Sequence, residues 1–374
     1  MSKEQGFETD SSAYKELTLG PDLSLLLQEQ LGSHSVAEVY EDSLELRGNA
    51  LYQASFIAEA LKGSDLEASI NNLRNGTLSV LVVHGIPVDP EAGDPPADGG
   101  NPVHKPTYYS EGMSLAMGNI LGIPSMLVDE KKEALIHQIT PVKGREYTQS
   151  NEGSVGLKFH QDLAPIRSMP ALGYDRFMPD WLILTGVQSG DGSTKTFISP
   201  VAEAVCLVDE AVQDVLRQNR FTTDPPDSFA KEGLQPEYRP PIHAILKEYK
   251  DKVESAYDSS SNVRVVDASD HEAIAALQAF EQALQQVKRE VAIKPGTSVI
   301  FNNRRVVHGR SAINPKDAAS PRRWIQRLYV MDLDRVIKSS MGRLWSVAIG
   351  GGLLSVQMGL PSERLLELAG VQSS

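Results

Sequence analysis

Pro295-Gly296-Thr297-Ser298-Val299-Ile300-Phe301-Asn302-Asn303-Arg304-Arg305-Val306-Val307-His308-Gly309-Arg310-Ser311 is the stretch on which the fold turns. It holds two β-like runs, Thr297–Phe301 and Val306–His308, made of the branched and aromatic residues that fit a pleated surface. A polar Asn-Asn-Arg-Arg run separates them, and Pro295-Gly296 punctuates the front. Comparable short runs lie at Val155–Phe159, Trp181–Val187, Lys195–Ile198 and Glu290–Ile293, and again at Ile325–Met331.

Residues 200–288 interrupt these strands with a helix-rich insertion that includes the amphipathic stretch His271–Arg289. Toward the N-terminus, Leu44, Leu46, Leu51, Ile57, Ala58, Leu61 and Leu66 recur at helical spacing, predicting a helix from Ser43 to about Arg74 that closes at Asn75-Gly76. Leu78–Val83 reads as a buried strand stopped by Gly85 and Pro87, and Ser110–Leu121 as a further helix. Residues 88–106, with repeated Pro, Gly and Asp, predict an exposed loop, and residues 1–20 a frayed end. Short strands in two groups around a helical insertion predict an α+β chain with a jelly-roll core, flanking N-terminal helices and one domain over 1–374.

The bulk numbers narrow the function. With 374 residues, 41% hydrophobic and 23% charged, the chain has an ordinary globular composition. No window approaches the roughly 18 consecutive apolar residues of a membrane span. The polar start, Met1-Ser2-Lys3-Glu4-Gln5, lacks a secretory core, and the single Cys206 suits a reducing compartment, so a cytoplasmic location is expected. A net charge of −13 argues against nucleic acid, which needs a concentrated basic surface. A small-molecule partner is expected; the oligomeric state is open.

The chemistry centres on Phe159-His160-Gln161-Asp162. At a strand edge, residues two apart share a face, so His160 and Asp162 can offer an imidazole nitrogen and a carboxylate oxygen to one ion. His308, at the end of another β-like run, supplies a third ligand. Two histidines and one carboxylate leave three octahedral positions open, the arrangement of non-haem Fe(II) oxygenases. Zinc enzymes more often use spacings such as H-E-x-x-H, absent here. A His-x-Asp spacing is common by itself; its weight comes from the residues downstream. The other histidines, His34, His84, His104, His137, His243 and His271, read as structural or exposed.

Those downstream residues are Asn303-Arg304-Arg305, then His308-Gly309-Arg310, then Arg323-Trp324-Ile325-Gln326-Arg327. In that order they resemble the clavaminate-synthase-like branch of the Fe(II)/2-oxoglutarate dioxygenases, over roughly residues 140–200 and 290–335. The resemblance implies a double-stranded β-helix core, Fe(II) on His160, Asp162 and His308, and 2-oxoglutarate as co-substrate. It further implies that O2 is consumed, succinate and CO2 are released, and an L-amino acid, free or carrier-bound, is hydroxylated at an unactivated C–H.

An aspartate at position 162, where close relatives often have glutamate, still reaches an ion and favours hydroxylation or desaturation over halogenation. The co-substrate's far carboxylate needs a fixed cation, and an arginine fork suits it. Arg322 and Arg323 are adjacent candidates; the spacing of four to Arg327 favours Arg323, with Arg327 on the same face. Thr196, or Thr194, is expected to contact the same carboxylate, and Ser150 the substrate backbone. The loop Leu163–Met178 is long for the family and is expected near the substrate. Tyr257-Asp258-Ser259-Ser260-Ser261-Asn262 is mostly neutral, which weakens the case for a guanidinium substrate. Other readings are a taurine-dioxygenase-like enzyme acting on another small acid, a desaturase or cyclase, a zinc or manganese hydrolase, and a non-catalytic jelly-roll binding protein.

Overall fold

The computed structural model describes residues 13–102, 105–127, 134–145, 147, 153–164, 178–224, 241–314, 322–332, 335, 346–349 and 352–358. Four helices lie in its N-terminal third: α1 (Pro21–Ser33), α2 (Leu44–Glu59), α3 (Asp65–Arg74) and α4 (Tyr109–Leu121). The single helix expected over 43–74 is two. Gly63 turns the chain with φ of 74°, and Ser64 caps α3 by accepting from the Glu67 N–H at 3.1 Å. The Glu67 carboxylate in turn accepts from the Gly63 N–H at 2.7 Å. This reciprocal capping stops one helix and starts the next more cheaply than continuing through glycine.

The first strands are β1 (Tyr14–Thr18), β2 (Val80–His84), β3 (Ile123–Leu127), β4 (Ile136–Ile139), β5 (Leu157–His160), β6 (Trp181–Gln188) and β7 (Thr196–Pro200). The insertion then supplies helices α5 (Val201–Val205), α6 (Glu210–Leu216) and α7 (His271–Gln286). It is less helical than its sequence predicts, because five short strands run between α6 and α7. These are β8 (Phe221–Thr222), β9 (Ile242–His243), β10 (Leu246–Tyr249), β11 (Lys252–Ser255) and β12 (Arg264–Val265). They pair as β10-β11 and β12-β8-β9 and share a core with the helices through Phe221, Leu246, Tyr257 and Phe280. The remaining strands are β13 (Arg289–Val291), β14 (Thr297–Asn302), β15 (Val306–Arg310), β16 (Trp324–Met331), β17 (Ser346–Ile349) and β18 (Gly352–Met358).

Two sheets organise the chain. The larger runs β1-β2-β14-β6-β16-β3-β18-β17, with β4 also paired to β16; the smaller runs β13-β7-β15-β5. Val82, Leu182, Phe301 and Ile325 of the larger sheet meet Ile198, Val291 and Val306 of the smaller in one apolar cluster. The opposite face of the larger sheet, with Leu81, Ile183, Ile300 and Leu328, packs on the N-terminal helices. Strands covered on both faces read as near-continuous apolar runs, as β6 and β14 do.

One expectation is corrected at the N-terminal side. Residues 14–18 do not fray: β1 pairs in parallel with β2, Leu17 opposite Val83, and so covers that sheet edge. Residues 88–102 form the largely exposed loop expected, without helix or strand, and the chain is tethered beyond it where the Lys105 ammonium is buried between Asp89 Oδ2 at 2.7 Å and Glu111 Oε2 at 2.5 Å. No helix among the described residues is long and apolar enough to cross a membrane.

Candidate functional site

The two sheets bring His160, Asp162 and His308 together, with their ligand atoms all within 4.8 Å of one another. His160 ends β5 and lies directly opposite His308 of β15, their ring centroids 4.2 Å apart. Asp162 is not on the strand, so shared strand parity is not what aims it. It sits in the turn after β5, fixed by Asn303: the Asp162 N–H donates to Asn303 Oδ1 at 3.0 Å, and Asn303 Nδ2 donates back to the Asp162 carbonyl at 2.9 Å. Asn303 Nδ2 also donates to the Pro179 carbonyl at 3.1 Å, so one side chain holds backbone on both sides of the 163–178 loop.

Beside it, Arg304 is fully buried on Asp180 Oδ1 at 2.6 Å, and Asn302 Oδ1 caps the turn by accepting from the Arg304 and Arg305 N–H groups. The Asn-Asn-Arg-Arg run is thus a brace for the metal turn. Gly309 is required by close approach, since a Cβ there would lie 2.8 Å from the Leu157 carbonyl of β5.

The three donors fit a divalent transition metal. The Lys158 carbonyl, 2.8 Å from His160 Nδ1, can only accept, which places the hydrogen on Nδ1 and leaves Nε2 as the ligand atom. His160 Nε2 and His308 Nε2 face Asp162 Oδ1 at 3.4 Å and 3.6 Å, while Asp162 Oδ2 turns away from them. That oxygen accepts from Arg327 Nη1 at 2.6 Å and from the Tyr329 hydroxyl at 3.3 Å. One free carboxylate oxygen and two imidazole nitrogens form the facial set that suits non-haem Fe(II).

Electrostatics agree. Burial by itself would raise the Asp162 carboxyl, but the Arg327 guanidinium, and then the two facing imidazoles, hold it well below the usual carboxylate range. Burial and the neighbouring His160 push His308 down to about 4, so it is neutral at physiological pH. Burial opposes protonation of His160, yet the Asp162 hydrogen bond and charge leave its pKa raised.

The cavity beside the triad is also lined by Thr196, Arg310, Arg323 and Arg327, with Leu182, Leu184 and Ile325 as apolar wall. Arg323, the residue just before β16, and Arg327 within it both line the cavity, and both are buried. Arg322 points elsewhere, donating to the Pro141 carbonyl at 3.3 Å and to the Pro95 carbonyl. Thr196 lines the cavity; Thr194 is buried but is not among its lining residues. Ser150 and residues 165–177 lie outside the described residues.

Sequence reasoning missed His137 and Tyr329. His137, read only as structural or exposed, is buried on β4 directly opposite Arg327, whose Nη2 lies 2.6 Å from its Nδ1. Tyr329 follows Arg327 by two on the same strand, so strand parity was a signal that could have found it. Asp258 spends Oδ1 on its own turn, accepting from the Ser260 and Ser261 N–H groups at 2.9 Å.

Comparisons with known proteins agree with this geometry. The chain is 29% identical over 264 residues to the L-asparagine oxygenase of Streptomyces coelicolor, covering 70% of this chain and 74% of that one. It is 26% identical over 337 residues to the enduracididine beta-hydroxylase of Streptomyces hygroscopicus, covering 82% and 94%. Among solved structures, asparagine oxygenase in complex with Fe(II), 2S,3S-3-hydroxyasparagine and succinate superposes with a TM-score of 0.72 at 23% identity, covering 87% of this chain and 97% of that one. The non-heme iron oxygenase OrfP in complex with Fe and alpha-ketoglutaric acid gives 0.71 at 22% identity, covering 86% and 95%. The family profile described as taurine catabolism dioxygenase TauD, TfdA family matches residues 125–329, more than half of the chain. The chain belongs to the TauD/TfdA family of dioxygenases.

Proposed function

We propose that the protein is an Fe(II)- and 2-oxoglutarate-dependent hydroxylase of a free or carrier-bound L-amino acid, built as one double-stranded β-helix domain and working in the cytoplasm. The observation that carries this reading is the convergence of His160, Asp162 and His308 with Arg323 and Thr196 on one cavity. The named relatives, an asparagine oxygenase and an enduracididine hydroxylase, supply the amino-acid class.

In this reading His160, Asp162 and His308 hold the iron. The metal, with 2-oxoglutarate and O2, supplies the oxidising power for the C–H bond, and succinate and CO2 leave as co-products. The protein's own work is positional. Arg323 and Thr196 hold the co-substrate's far carboxylate, so its keto acid faces the metal side. Arg327, shared with Asp162, is the neighbouring cation of the same strand face. Leu182, Leu184 and Ile325 exclude water from that wall.

The test is anaerobic titration with Fe(II) and 2-oxoglutarate, followed by succinate measurement across an amino-acid panel. A metal-to-ligand charge-transfer band and substrate-dependent succinate are expected. If the band is absent and His160→Ala changes nothing, the reading fails.

A further inference from the structure

Arg310 closes the His308-Gly309-Arg310 motif but has no part in holding the metal. It lies two residues beyond His308 on β15, and so on the same inward face, and its register partner on β7 is Thr196. It lines the same cavity as Thr196 and Arg323, and only 5% of the residue is exposed. Its Nη2 donates to the Gly153 carbonyl at 2.8 Å and the Val155 carbonyl at 2.7 Å. Nε and Nη1, both buried, have no hydrogen-bond partner among the described residues. Two carbonyls satisfy one nitrogen but bring no negative charge.

A buried guanidinium without a counter-ion is costly, and proteins rarely keep one unless something anionic joins it. The cavity wall carries three arginines, Arg310, Arg323 and Arg327, against the one carboxylate of Asp162, which Arg327 already engages. The positive charge left without a counter-ion among the described residues therefore lies with Arg310, opposite Thr196 in the sheet.

We propose that Arg310 is a second carboxylate anchor of this cavity, binding a ligand carboxylate through Nε and Nη1 while Nη2 keeps its backbone carbonyls. The proposal rests on the hydroxylase reading. Within it, two carboxylates are available: the far end of 2-oxoglutarate, favoured by the Thr196 pairing, and the α-carboxylate of the amino acid.

The experiment compares Arg310→Gln, which keeps a donor for the Gly153 carbonyl without the charge, with Arg310→Lys, which keeps the charge. Dissociation constants are measured anaerobically for 2-oxoglutarate on the Fe(II) protein, and for the amino acid on the Fe(II)·2-oxoglutarate protein. The Gln variant is expected to weaken one of them by roughly tenfold or more, with Lys recovering most of it. Which constant moves identifies the carboxylate. Two results overturn the proposal: a Gln variant of wild-type melting temperature that binds both ligands normally, or Gln and Lys variants that lose binding equally.

Should the Gln variant not fold, the wild-type protein decides. Its Arg310 Nε–H resonance, assigned by its loss in Arg310→Lys, must shift when the Zn(II)-loaded protein binds 2-oxoglutarate or then the amino acid; no shift with either overturns the proposal. A wild-type protein without the Fe(II)·2-oxoglutarate band would instead sink the hydroxylase reading itself.

Discussion

Arg327 donates from Nη1 to Asp162 Oδ2 at 2.6 Å, so the carboxylate that faces two histidines through one oxygen is held by a guanidinium through the other. This division of labour keeps Oδ2 away from the metal side and limits Asp162 to one bond. Partners that orient a ligand in this way are generally worth about 10–100-fold in metal affinity or activity. Arg327→Met is expected to weaken Co(II) binding by that order, measured by anaerobic titration, and to change the Co(II) ligand-field bands as Oδ2 becomes free to coordinate. Unchanged affinity and bands would show that Asp162 orients itself.

His137 extends the arrangement outward. A guanidinium only donates, so the 2.6 Å contact from Arg327 Nη2 requires a lone pair on His137 Nδ1 and the hydrogen on Nε2. His137→Asn places an acceptor near the Nδ1 position and should keep metal affinity close to wild type. His137→Leu removes the acceptor and should lower affinity by roughly tenfold, at the lower end of such effects. Equal behaviour of the two variants would reduce His137 to packing.

How much of this is legible in the sequence depends on separation along the chain. His308 and the inward Arg323/Arg327 pair are legible, because local strand spacing and motif order mark them. His160 and Asp162 are legible as a pair, but for a different local reason: strand parity suggests it, whereas Asn303, far along the chain, builds the turn. His137 is invisible, since only the β4–β16 register sets it opposite Arg327. Lys105 misleads, because a lysine among prolines and glycines reads as solvent-facing until Asp89 and Glu111 are seen around it.

Gly309 offers a test of how tightly the smaller sheet holds the site. Its missing side chain lets β15 approach β5, and a Cβ would meet the Leu157 carbonyl at 2.8 Å, an atom of the backbone that cannot swing aside. Gly309→Ala must push the two strands apart where His160 and His308 pair. Overpacking of this kind costs about 1–3 kcal/mol. A lowered denaturation midpoint together with weakened Co(II) binding is expected; a stable variant with normal metal affinity would mean that the strands relax elsewhere.

Lys105 bears on the other face of the strand that carries the arginines. Its ammonium contacts Asp89, Glu111 and Ser110, and Glu111 in turn accepts from Gln326 Nε2 of β16 at 2.7 Å and from the Tyr40 hydroxyl at 2.8 Å. Burial pushes the Asp89 carboxyl up, but the Lys105 charge and its hydrogen bonds outweigh this and leave it lowered. A lowered carboxyl contributes stability above its unfolded value and loses it as pH falls through the folded one. Lys105→Met leaves two buried carboxylates facing each other without a cation, a change expected to cost about 3–5 kcal/mol at neutral pH. The sign with pH follows. Without its cation the buried Asp89 carboxyl takes up a proton above its ordinary value, and further acid removes the stabilisation from the wild type, so the gap between them should narrow steadily as pH falls from neutral to below about 4. Urea denaturation of both proteins across that range measures it; a pH-independent gap would show that Lys105 acts through packing alone.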